Sequence, residues 1–176
     1  HSEDRINDTR LFQGGTFDVE LNLIDLPTQE SLQKDIARYI EEQTDAAERG
    51  DKIAARDLGA RAERCRRWMG RLETLPEGKT FPYHFSVFQF GDAVWVTCSA
   101  EPYSWLQIEL RKRFPDLTLM VSSLAGDHQV AYLLPRKDYG KGLYQEEPSS
   151  LAPGCLEALA DAITARIEEV TGCKRK

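Results

Sequence analysis

The segment SSLAGDHQVAYLLPRKDYGKGLYQ (122–145) gathers one histidine, two acids and three tyrosines where an apolar run ends. A phenol can bind a metal as phenolate or give its proton to a developing oxyanion. Tyr132, Tyr139 and Tyr144 are the candidates, with Asp127 and His128 beside them. A second such place is TCSAEPYSW (97–105), where Glu101 follows one apolar run and precedes another. In a sheet with helical crossovers, ligands bind at the carboxyl ends of strands, so Glu101 could serve as metal ligand or general base. Each residue also has a purely structural explanation. An acid in the first turn of a helix favours the helix dipole. Gly-Asp is a turn signal, and a tyrosine at the edge of a core commonly keeps its hydroxyl wet.

The elements that must position these residues are legible in the apolar spacing. Residues 1–16 are polar and end in Gly14-Gly15, which reads as a tail or a connection to an upstream region. Phe17, Val19, Leu21 and Leu23 alternate with polar residues, the mark of a half-buried strand. Thr28 is a helix N-cap candidate, and Leu32, Ile36, Tyr39 and Ile40 then follow helical spacing as far as about Gly50. Ile53, Leu58, Cys65, Trp68, Met69 and Leu72 define a second helix, so an αα-hairpin is expected over about 28–75.

After Pro76–Pro82 the texture changes. FPYHFSVFQF and AVWVTC are strand-like runs on either side of Gly91-Asp92, a hairpin signal, with His84 expected as a packed strand residue. A short helix runs from Ser104 to Phe114 and stops at Pro115. LTLMVSSL is apolar enough to suggest a strand buried on both faces. Val130–Leu134 is another short strand, and Gly154–Thr171 a closing helix. The expectation is a single α/β (α+β) domain over 17–176: the helical hairpin, then a small mixed sheet with packed helices over about 81–172.

Composition removes several functions. With 41% hydrophobic and 30% charged residues, the chain has enough apolar material for a globular core. A formal charge of −6 argues against a nucleic-acid partner, and RAERCRRWMGR and ELRKRF read as solvated helix faces. No apolar run approaches the ~20 residues of a transmembrane segment, and HSEDRINDTR does not read as a signal peptide. Cys65, Cys98, Cys155 and Cys173 form no C-x-x-C pair. No nucleophile elbow, H-E-x-x-H or P-loop occurs. The three dispersed histidines do not make a self-sufficient zinc site, which takes three protein ligands and a water.

SAEPYSWLQIELRKRFP, followed by LTLMVSSLAGDHQVAYLLPRKDYGKGLYQEEPSSLAPG and a closing helix, resembles the carboxy-terminal part of the catalytic region of the neutral/alkaline non-lysosomal ceramidase family. FPYHFSVFQFGDAVWVTCSAE after a helical stretch is similar to the short bacterial branch. The likeness covers about residues 17–155 and is densest over 94–154. It implies hydrolysis of an N-acyl amide, such as ceramide, by a zinc-bound water. It implies zinc ligation by Glu101 and Tyr132, and oxyanion stabilisation by Tyr144, twelve residues beyond Tyr132. It also implies that two histidines from an upstream catalytic region complete the zinc site, and that the protein is secreted or periplasmic. Asp127 and His128 would then be candidates either for supporting the zinc ligands or for the edge of the substrate. The chain departs from the family in having Ala100 where a glycine precedes the glutamate. It also has Gln145 after the second tyrosine and a longer 125–129 loop.

Two functions of different class follow. One is the carboxy-terminal part of a zinc amidohydrolase, inactive without its upstream region and holding no zinc tightly alone. The other is a non-catalytic binding or assembly module of the same fold.

Overall fold

The computed structural model describes residues 12–126 and 130–176. They form two compact units, one made of the chain up to Ile24 together with Gly78–Lys176, the other of Asp25–Glu77.

The smaller unit is the helical hairpin, α1 (Gln29–Glu48) and α2 (Lys52–Leu72). The Thr28 side chain accepts the Ser31 N–H at 3.1 Å, and Asp51 accepts the Ala54 N–H at 3.0 Å. Both helices therefore begin on the oxygen caps that unpaired first-turn donors require. Only Leu32, Ala46 and Ala62 are fully buried, and a Cβ added at Gly59 would meet Gln43 Nε2 at 2.6 Å. Small residues thus set the approach of the helices, while Ile40 and Ile53 stay exposed.

The larger unit contains a four-stranded sheet of β1 (Phe12–Asn22), β2 (Thr80–Phe90), β3 (Ala93–Cys98) and β5 (Thr118–Ser122), in that order. β1 and β2 are antiparallel, as are β2 and β3, whereas β3 and β5 are parallel. Between β3 and β5 the chain passes through β4 (Glu101–Pro102) and α3 (Trp105–Arg113). β4 pairs in parallel with β6 (Tyr132–Leu133), a second, two-stranded sheet. A single 3₁₀ turn (Arg136–Asp138) and α4 (Cys155–Thr171) complete the unit. The fold is α+β with a mixed sheet, as the apolar spacing predicts.

Alternation sorts the sheet into two faces. Leu21, Phe81, Tyr83, Phe85, Val87, Val94, Val96 and Leu119 are buried on one of them. α4 lies against β1 and β2 and buries Leu156, Leu159, Ala160, Ile163 and Ile167. Gln13, on this same face, donates to the Val170 carbonyl and to Gln89 Oε1. Arg113 ties α3 to α4 through Asp161 (2.7 Å) and Thr164 (2.9 Å). Cys98 lies in this core, and burial pushes its thiol up to about 12, so it is an inert packing residue.

The opposite face is more open than expected. Phe12, Phe88, Phe90 and Trp95 form a ring cluster with centroids 4.9–6.4 Å apart, next to an exposed Met120. β5 is an edge strand, so LTLMVSSL is not buried on both faces: Thr118 and Met120 project outward. His84 is not packed either. Its ring is half exposed, and its Nδ1 lies 2.5 Å from Asp18 Oδ1 across the β1–β2 pair.

β1 also begins earlier than its alternation suggests. Phe12–Thr16, expected to belong to a tail, pair with Ser86–Phe90. Gly14 hid this extension, because its φ of +143° suits glycine and a Cβ there would lie 2.1 Å from the Val87 carbonyl oxygen. Gly15 meets nothing closer than Phe17 Cζ at 3.8 Å. Gly14→Ala should therefore cost about 2 kcal/mol or more, whereas Gly15→Ala should be neutral or stabilise by about 0.5 kcal/mol. Urea denaturation of the two variants checks this contrast.

Candidate functional site

Two chain segments converge beyond the carboxyl ends of the parallel strands β3 and β5. After Cys98 the chain bends through Ser99 and Ala100 into β4, and after Ser122 it turns back beside it. The Leu124 N–H donates to the Ala100 carbonyl at 3.0 Å, and the Ala125 N–H to the Cys98 carbonyl at 3.0 Å. Leu124 and Ala131 both hold left-handed backbone, φ 57° and 59°. Each costs about 1 kcal/mol or more for an L residue. The Ala131 bend is fixed by the bond its carbonyl accepts from the Glu101 N–H at 2.9 Å.

The β4–β6 register puts Glu101 directly opposite Tyr132. Paired residues in a sheet project to the same face, so the carboxylate and the phenol are neighbours although 31 positions separate them in sequence. The Tyr144 ring meets the Tyr132 ring edge-on, with centroids 6.4 Å apart and planes inclined at 69°. Tyr144 is 60% exposed, and Glu101 and Tyr132 are half-buried. The structure therefore brings together three of the residues singled out in the sequence. Asp127 and His128 lie outside the described residues.

The surrounding bonds hold this trio in place. The Ser149 hydroxyl donates to the Tyr132 carbonyl at 2.8 Å, and the Ser150 N–H to the Val130 carbonyl at 3.3 Å. Glu146 accepts the Gly140 N–H at 2.9 Å, closing the loop that carries Tyr144. Tyr139 belongs to this scaffold and not to the site, since its hydroxyl donates to the Leu151 carbonyl at 3.0 Å. Ser149 was not visible as a site-supporting residue, because nothing in PSS distinguishes a buried serine from a loop serine.

The electrostatics of the trio are those of a protonated phenol beside a carboxylate. Burial raises the Tyr132 phenol above the ordinary tyrosine range, and Glu101 and Tyr144 raise it further. An added cation beside Tyr132 would reverse the balance by favouring the phenolate. Zinc takes four ligands, so Glu101 and Tyr132 could supply at most half of such a set. Among the described residues no group of three or more His, Cys, Asp or Glu side chains could hold a metal ion, and no helix is long and apolar enough to cross a membrane. No protein-family model, curated protein or solved structure matches this chain.

Because the folded state holds the Tyr132 proton more tightly than an ordinary tyrosine, the linked stability is present below that range. It is lost as pH rises through the raised midpoint. Glu101→Gln should bring the Tyr132 midpoint down, by removing the negative neighbour. Tyrosine Cζ chemical shifts followed through an alkaline titration check this, and an unmoved midpoint would separate the two side chains.

Proposed function

We propose that this chain is the carboxy-terminal part of a zinc-dependent amidohydrolase acting on an N-acyl amide, ceramide being the substrate class its family resemblance implies. The observation that carries this reading is the β4–β6 register, which sets Glu101 against Tyr132 with Tyr144 on the Tyr132 ring. Zinc, when bound, would supply a Lewis acid and a water ionised near neutral pH. Glu101 and Tyr132 would be its ligands from this chain, and two histidines of an upstream catalytic region would complete the set. As a zinc ligand Tyr132 would have to give up its proton against the burial and the negative neighbour that raise its phenol. Tyr144, exposed at the tip of its loop and leaning on Tyr132, donates its hydroxyl proton to the oxygen of the amide carbonyl as it becomes an oxyanion. Ser149 and the Ala131 bend keep the phenol in register.

These roles separate in mutants of the longest natural form. Glu101→Ala and Tyr132→Phe should each lower zinc affinity by roughly tenfold or more, with amidase activity falling in parallel. Tyr144→Phe should keep the zinc and lose about 10²–10³ in kcat. Metal analysis and amide-hydrolysis assays read both quantities, and wild-type zinc content with wild-type turnover in the Glu101→Ala and Tyr132→Phe proteins would sink the reading. The 176-residue chain by itself should not turn over ceramide.

A further inference from the structure

The hairpin carries two matched seams. On α1, Leu32, Ile36, Tyr39, Gln43 and Ala46 recur at alternating steps of four and three, and on α2 Leu58, Ala62, Cys65, Met69 and Leu72 do the same. This heptad spacing marks helices that wind about one another with the seam enclosed. Two helices do not enclose it here. Leu32, Ala46 and Ala62 are buried, but the other seam residues stay half-exposed. Ile40, which flanks the seam beside Ile36, is 43% exposed. A facing helix covers a seam from one side, whereas a bundle of four covers it from both.

The charges of the two helices identify what completes the bundle. α1 has six acids against two bases, and α2 has seven bases against two acids. The ion pairs Glu30–Lys34 and Asp35–Arg38 on α1, and Glu63–Arg67 on α2, each join residues of one helix and leave both excesses in place. A second copy of the chain offers the matching surface, a basic α2 for the acidic α1 and an acidic α1 for the basic α2. We infer that the chain forms a two-fold homodimer through its hairpins, a four-helix bundle in which α1 of each copy packs beside α2 of the other. With the two-fold axis along the bundle, every neighbouring pair of helices is antiparallel and of opposite sign. Glu42 and Arg61 stand next to the seam residues Gln43 and Ala62, on the flanks where charges select a partner. The inference is independent of the hydrolase reading, since neither helix carries a residue of the Glu101–Tyr132 site.

Sedimentation equilibrium of the 176-residue chain tests it. The wild type should show about twice the 20.0 kDa mass of one chain. Glu42→Arg and Arg61→Glu should each weaken the homodimer by about tenfold or more, because the two-fold axis makes each change set like charges together twice. Glu42 is about half exposed and Arg61 exposed, so both variants should keep wild-type helicity by circular dichroism. An equimolar mixture of the two should restore the dimer, as each altered helix then meets its opposite. Within one chain Arg61 also lies over the Tyr39 ring, 6.0 Å from its centroid, and a defect confined to that contact would not be repaired by mixing. A wild-type chain that sediments at 20.0 kDa overturns the inference. So do variants that dimerise as tightly as the wild type, or a mixture no tighter than its components.

Discussion

Two parallel neighbouring strands cannot be joined by a tight turn, and in this chain β3 and β5 are such a pair. The chain must leave the end of β3, cross the sheet and re-enter beside the start of β3. β4 and α3 are the material of that crossing. The same constraint brings the departures from β3 and from β5 to one end of the sheet, where the chain after Cys98 meets Leu124, Ala125 and Ala131. The Glu101–Tyr132 register is the outcome. The candidate site is thus a by-product of connectivity before it is a matter of particular side chains.

What stabilises this arrangement is spread over the larger unit. The buried face of the sheet and α4 supply most of the apolar contact, including fully buried Tyr83, Leu156, Leu159, Ile163 and Ile167. Near the site, polar groups replace apolar ones. Ser149 and Ser150 are buried and donate to the Tyr132 and Val130 carbonyls, and Leu151 bridges back to Leu23 at the end of β1. The strap from Ser149 to Ala152 therefore links the sheet edge to the tyrosine strand. A site assembled from two short strands needs such support, because two residue pairs contribute little alone.

Much of this was legible in the sequence. The 3.6-residue and two-residue periods located both hairpin helices, α4 and the β2–β3 hairpin at Gly91-Asp92, because in each the buried stripe is regular. Glu101 was legible after an apolar strand, Tyr132 on a strand and Tyr144 in a Gly-flanked loop, and family resemblance supplied the idea that they act together. Their proximity was not legible, since it depends on a parallel register between two-residue strands that leave no periodic signal. The start of β1 escaped notice because Gly14-Gly15 looks like a linker, whereas it is the close approach to Val87 that demands Gly14. The exposure of Met120, Trp95 and His84 escaped for a different reason. An apolar or aromatic residue in a strand carries no mark of whether its face will be covered.

The larger sheet also carries a topological seam. Asn22 and Thr80 are partners across the β1–β2 ladder, and the whole helical hairpin lies in the chain between them. An insertion whose two ends are pinned by strand pairing adds a loop-closure entropy that grows only as the logarithm of its length, about 0.6 kcal/mol per doubling. The hairpin's length is therefore nearly decoupled from the register that governs the sheet. Over evolutionary time such a seam can take in, lengthen or lose a helical segment while β1 and β2 keep their alignment. The position between Asn22 and Thr80 is where this architecture has most freedom to diversify without disturbing Glu101 and Tyr132.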